Sequence, residues 1–197
     1  MTLTELKDAV AVETKRPDKT ALIAAKVKEA TLSCHIYDFW DKDLFETGIL
    51  FSTAEYLQRF MYKSAIPRWR ALKYIRRVDT TTLEPYGPAL RLIKPEAFMD
   101  EYQVEHENVC YESGLSLQIR TIDKCRRFLV GCYIFPDLAD DTFSSWIAAD
   151  YPYAIVYRAA ASIFEDIGYQ EQGRSATARA NEQLGLIRTN NLLANGY

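Results

Sequence analysis

The chain has 197 residues, 48% of them hydrophobic and 26% charged, with a formal net charge of −3. That length and apolar content suit one domain with a sizeable core, and a slightly acidic chain lacks the overall basic field of a dedicated nucleic-acid binder, leaving room only for a local basic patch. The opening Met1-Thr2-Leu3-Thr4-Glu5 lacks a basic-then-apolar leader pattern and no uncharged apolar run reaches bilayer length, so a soluble protein not secreted by that route, with no membrane role, is expected.

Thr2 precedes Glu5 by three residues, the spacing of a capping box, and Leu6, Ala9 and Val10 then share a face until Pro17, which predicts a short helix. Beyond it Ile23, Val27, Ala30, Cys34 and Tyr37 recur at steps of four and three, predicting an amphipathic helix from about Lys19 to Phe39. Phe45 to Ser52 reads as a strand, whereas Tyr56 to Ser64 fits neither period. Ile66 to Val78 has Trp69, Leu72 and Ile75 at helical spacing, yet its aromatic and β-branched content favours a strand. Thr80 to Pro88, with two prolines and Gly87, is a loop. Pro95 to Glu101 suggests a proline-led short helix. Val109–Glu112, a tight turn at Ser113-Gly114, an alternating Leu115, Leu117, Ile119 strand, and a further strand from Arg127 to Ile134 complete a small antiparallel sheet.

The last quarter is the most distinctive. Asp150 is placed to cap a helix opened by Pro152, nearly all Ala, aromatic or β-branched from Tyr153 to Ile167, and Gly168 offers a left-handed stop. A polar helix from about Gln172 to Leu193 follows, with the one-sided stripe Ala176, Ala180, Leu184 and Ile187. The expected fold is therefore mainly α (α+β): a single domain, residues 1–197, in which N-terminal helices (1–44) and C-terminal helices with a tail (136–197) form a helical bundle carrying a small antiparallel β insertion (45–135).

Arg91-Leu92-Ile93-Lys94-Pro95-Glu96-Ala97-Phe98 at the end of the insertion, and Asp150-Tyr151-Pro152-Tyr153-Ala154-Ile155-Val156-Tyr157-Arg158-Ala159-Ala160 further on, together with this order of elements, give a chain that resembles the head-to-tail adaptor, connector or neck protein of tailed bacteriophages. The resemblance implies a virion structural protein assembled in the host cytoplasm as a ring, usually of twelve copies, under the portal. Its partners would be the portal protein, tail or nozzle proteins and neighbouring copies, with no enzymatic activity, cofactor or metal. The tract from Phe45 to Arg77 is richer in aromatic and basic residues than the family leads one to expect.

A ring subunit presents two unlike adhesive faces. The hydrogen-bonding residues Arg174, Arg179, Asn181, Gln183, Arg188, Asn190 and Asn191 suit such a surface, and the tail Leu192, Leu193 to Tyr197 is apolar enough to dock; this end of the chain is expected to contact the portal. Arg68, Arg70, Lys73, Arg76 and Arg77, interleaved with Trp69 and Tyr74, are the candidates for weak, salt-sensitive contact with packaged DNA, with a solvated strand face or an interface to acidic neighbours as the alternatives.

Other chemistry has less support. His106 and Cys110 stand at a ligand-like step, with Cys125 and Cys132 beyond, but no Cys-x-x-Cys pair occurs, and the four cysteines read as small core residues of a reducing compartment with no disulfide. Cys34-His35 reads as core packing, and no local motif gives either histidine a serine partner. Glu165-Asp166, Asp140-Asp141 and Asp100-Glu101 are neighbours in sequence, which does not supply the facing carboxyls of a cell-wall glycan hydrolase. That hydrolase and a nucleic-acid-binding helical protein remain the alternative functions.

Overall fold

The computed structural model describes residues 1–96 and 108–194. In chain order the elements are α1 (Leu3–Thr14), α2 (Thr20–Ile36), a 3-10 turn (Asp41–Asp43), β1 (Leu44–Phe60), α3 (Tyr62–Ala65), β2 (Trp69–Val78), β3 (Pro85–Tyr86), β4 (Arg91–Leu92), β5 (Val109–Ser113), β6 (Ser116–Ile134), α4 (Trp146–Asp150), α5 (Pro152–Asp166) and α6 (Gln170–Ala194). They divide into two compact units, Met1–Asp43 with Phe135–Tyr197, and Leu44–Ile134. No helix among the described residues is long and apolar enough to cross a membrane.

The first unit is helical. Thr2 and Glu5 form the reciprocal capping box of α1, whose Leu3, Leu6 and Val10 face inward. α2 buries Ile23, Val27, Ala30 and Cys34 but stops at Ile36, so Tyr37 leaves the stripe and stacks on Trp40 instead. α5 is the middle of this unit: it packs against α1 and α2 on one side and α6 on another, burying Ala154, Ile155, Val156, Ala159, Ala160, Ala161, Ile163 and Phe164. A helix covered on several sides needs no polar face, which explains its composition. Pro152 occupies its first turn and Gly168, at φ +82°, follows its end. Asp150 does not cap it: that residue ends α4, and its carboxylate takes Lys42 Nζ.

The second unit is a six-stranded mixed sheet. β6 is its long central strand. β1 runs antiparallel along one edge of it, Leu44 opposite Tyr133 and Phe60 opposite Leu117; on the other edge β2 pairs with its second half and β5 with its first. β3 extends β2, and β4 adds to β5 in parallel. The core beneath holds Ile49, Tyr62, Trp69, Ile75, Leu117, Ile119, Phe128, Val130 and Cys132.

This corrects the expected helical bundle with a small antiparallel insertion: strands take 31% of the described residues against 45% in helices, and the sheet is a substantial body of mixed direction. Bulges hid the extent of the strands from periodicity. β2 is out of register with β6 between Trp69 and Ala71 and again between Leu72 and Tyr74. Each extra residue turns a step of two into a step of three, so Trp69, Leu72 and Ile75 lie opposite Ile134, Cys132 and Val130 on one core face while mimicking a helix in sequence. β1 and β6 likewise continue through irregular pairing between Leu50 and Leu57, where buried Gln58 donates to the carbonyls of Thr53 and Cys125. The two strands expected at Leu115 and at Arg127 are thus one, and Leu115, in the turn before it, is exposed. Most of the proline-led helix from Pro95 to Glu101 lies outside the described residues.

Candidate partner-binding surface

α6 is a two-faced rod. Ala176, Ala180, Leu184 and Ile187 form its buried row, and Gly173 lets it approach α5 closely, since a Cβ there would stand 3.3 Å from Glu165 Cγ and 3.6 Å from the carbonyl of Ala161. The opposite face carries exposed Arg174, Asn181 and Glu182.

Several hydrogen-bonding residues proposed for a partner are spent within their own unit. Arg179 reaches Glu13 at 3.4 Å and lies over the Tyr157 ring, Arg188 reaches Asp38 at 3.3 Å, and Asn190 donates to the Tyr151 hydroxyl at 3.0 Å. Asn191 and Gln183 are half-buried. Leu192 and Leu193 remain exposed, and Leu186, which the sequence reading passed over, is exposed beside them; Tyr197 lies outside the described residues. Leu186, Leu192 and Leu193 add an apolar element to an end at which Arg188, Thr189 and Asn190 are also exposed.

The basic cluster on β2 divides. Arg77 is buried, 3.0 Å from Asp123 and stacked on Tyr86, so it does not face DNA. Lys73 lies over Tyr133 and Arg76 over Tyr74, while Arg70 is half-buried. Arg68 is exposed, in the left-handed turn that opens the strand. One bulge falls at Arg70 and one at Lys73, so the five cations share no single face.

No protein-family model matches the chain, and no curated protein matches it.

The structure assembles one polar cluster that sequence reasoning missed. His35 Nδ1 lies 2.8 and 2.9 Å from the two oxygens of Asp43, and its Nε2 lies 2.8 Å from Ser145 Oγ. Trp146 Nε1 donates to Asp43 at 2.7 Å, and both His35 and Asp43 are buried. With Nδ1–H donating to the carboxylate, Nε2 accepts the serine proton, the arrangement of a nucleophile relay. Here the hydroxyl is also an N-cap, accepting from the amide of Ala148. The cluster ties α2, the turn into β1 and α4 together, and the polar cleft described below is not lined by His35 or Ser145. A buried histidine with both nitrogens matched is a tie first. The only sequence signal was a histidine on the buried row of α2, beside Cys34.

Two of the acidic neighbours are engaged by lysines. Asp166 holds Lys26 at 3.1 Å and Asp140 holds Lys28 at 2.7 Å, while Asp100 and Glu101 lie outside the described residues. No group of three metal-ligating side chains gathers among the described residues; His106 is outside them. Cys34, Cys110, Cys125 and Cys132 are all buried, and burial pushes the first two thiols up to about 12 and Cys132 to about 11.

Proposed function

We propose that this chain is the subunit of a head-to-tail adaptor ring of a tailed phage, a structural protein that joins the portal to the tail. The observation that carries the reading is β1. This strand pairs only with β6 among the described strands, buries only Ile49 and Gln58 along its length, and exposes Phe45, Leu50, Tyr56 and Leu57. A long edge strand with exposed apolar side chains is a hazard for a protein that stays alone, and natural sequences guard such edges. It suits a subunit that is covered once neighbours arrive head to tail. The open leucines of α6, Leu186, Leu192 and Leu193, offer a second apolar contact, fit for the portal. The resemblance of Arg91 to Phe98 and of Asp150 to Ala160 to adaptor proteins points the same way.

In this reading the subunit stays monomeric until the portal engages its C-terminal end and aligns neighbouring copies, the cost of association being offset by newly buried interface. Light scattering and negative-stain microscopy with and without a cognate portal test it. Rings of about twelve copies should form on the portal only, and removal of residues 189–197 should abolish portal binding. Unchanged binding by the truncated chain would refute the role of that end, and rings formed without portal would refute the order of events.

A further inference from the structure

A polar cleft of about 240 Å3 opens in the helical unit between α2, α5 and α6, lined by Lys26, Glu29 and Ser33, by Arg158, Ser162 and Glu165, and by Thr177. Its cations are not equivalent. Lys26 is neutralised by Glu29 at 3.5 Å and Asp166 at 3.1 Å. Arg158, half-buried, makes one hydrogen bond, from Nε to Ser33 Oγ at 3.2 Å, and no ion pair with any described carboxylate. Glu29 and Glu165 line the same cleft without closing on it. The guanidinium therefore keeps its two terminal nitrogens, a planar fork matched to a carboxylate, without a protein acceptor.

We propose that Arg158 receives a carboxylate side chain from a second copy of this chain, making the cleft a socket of the ring's subunit interface. This rests on the adaptor reading. The volume lies below the range of cofactor and drug-sized sites and suits one side chain. The acids Glu29 and Glu165 disfavour a multiply charged guest such as a phosphate chain, leaving one negative charge on a flat, two-oxygen group as the best fit. Exposed acids are on hand in the same chain, among them Glu171 and Glu182 on α6, neither engaged in an ion pair. In a ring each copy's acid would enter the next copy's cleft in a heterologous contact, which closes when the rotation between neighbours does.

The test has two parts that can fail separately. In the purified monomer, the Nε–H resonance of Arg158 is followed by NMR during titration with sodium acetate, with sodium chloride and acetamide as controls. Acetate alone should shift it saturably, and Arg158→Gln should abolish the effect. In the portal-templated assembly, Arg158→Gln should raise the protein concentration needed for rings at least tenfold, and Arg158→Lys should recover part of that loss; circular dichroism checks that both variants fold. No saturable shift with acetate, or an equal shift with chloride, overturns the socket. A normal acetate response with unimpaired assembly of Arg158→Gln overturns the second copy as occupant. A wild-type chain that binds acetate but never forms rings rejects the adaptor reading and the second-copy occupant with it.

Discussion

His35, Asp43, Ser145 and Trp146 form a connected polar cluster in the helical unit, and its worth lies in mutual dependence. Removing the imidazole leaves a buried carboxylate short of a donor, a loss of about 3 kcal/mol, whereas removing the Ser145 hydroxyl forfeits a cap and one hydrogen bond, about 1 kcal/mol. Urea denaturation should therefore rank His35→Ala well below Ser145→Ala, with His35→Asn, which keeps an N–H for Asp43, between them. A fluorophosphonate probe should leave Ser145 unlabelled; covalent labelling would make the cluster a working nucleophile and the chain an enzyme. Nothing local in the sequence joins these residues, because Asp43 and Ser145 stand 8 and 110 positions from His35 and only the packing of α4 against α2 brings them together. The acids and bases of surface ion pairs were equally hard to foresee: Arg188 reads as an open contact residue until Asp38 is found against it.

At the scale of elements, β2 and β6 show how a sheet accommodates what a period cannot express. Gly131 in β6 lies opposite Tyr74, and a Cβ built on it would stand 2.6 Å from the tyrosine ring. The ring fills the space a side chain would have taken, which offsets the usual weakness of glycine in a strand. Gly131→Ala should cost about 1–3 kcal/mol by overpacking, and the cost should vanish or change sign when Tyr74 is also replaced by Ala. Additive losses in urea melts of the two single variants and the double variant would contradict this contact. Helix ends were legible here where the lengths of the strands were not. The Thr2 and Glu5 capping box, the Ala176 to Ile187 row and the Gly168 stop all act within a few residues of one another, so the local chain contains the whole cause. Strand bulges are set by the partner strand, and the partner of Trp69 is Ile134.

For the whole molecule, the two compact units each carry a core and their own thiols: Cys34 in the helical unit, and Cys110, Cys125 and Cys132 in the sheet. Burial keeps Cys34, Cys110 and Cys132 protonated well above neutral pH, so Ellman's reagent at pH 8 should react only as a core opens. Across a urea gradient one thiol and three thiols should emerge in separate steps, since units with independent cores unfold independently; a single four-thiol transition would show that they unfold as one. The amino-acid sequence by itself determined four helices of the first unit, α1, α2, α5 and α6, with their buried rows, the capping box of α1 and the glycine stop after α5, because those features are written in short-range spacing. Only the tertiary structure decided the size and mixed direction of the sheet, the burial of Arg77, the internal use of Arg179, Arg188 and Asn190, and the isolation of Arg158, because each depends on which distant segment arrives alongside.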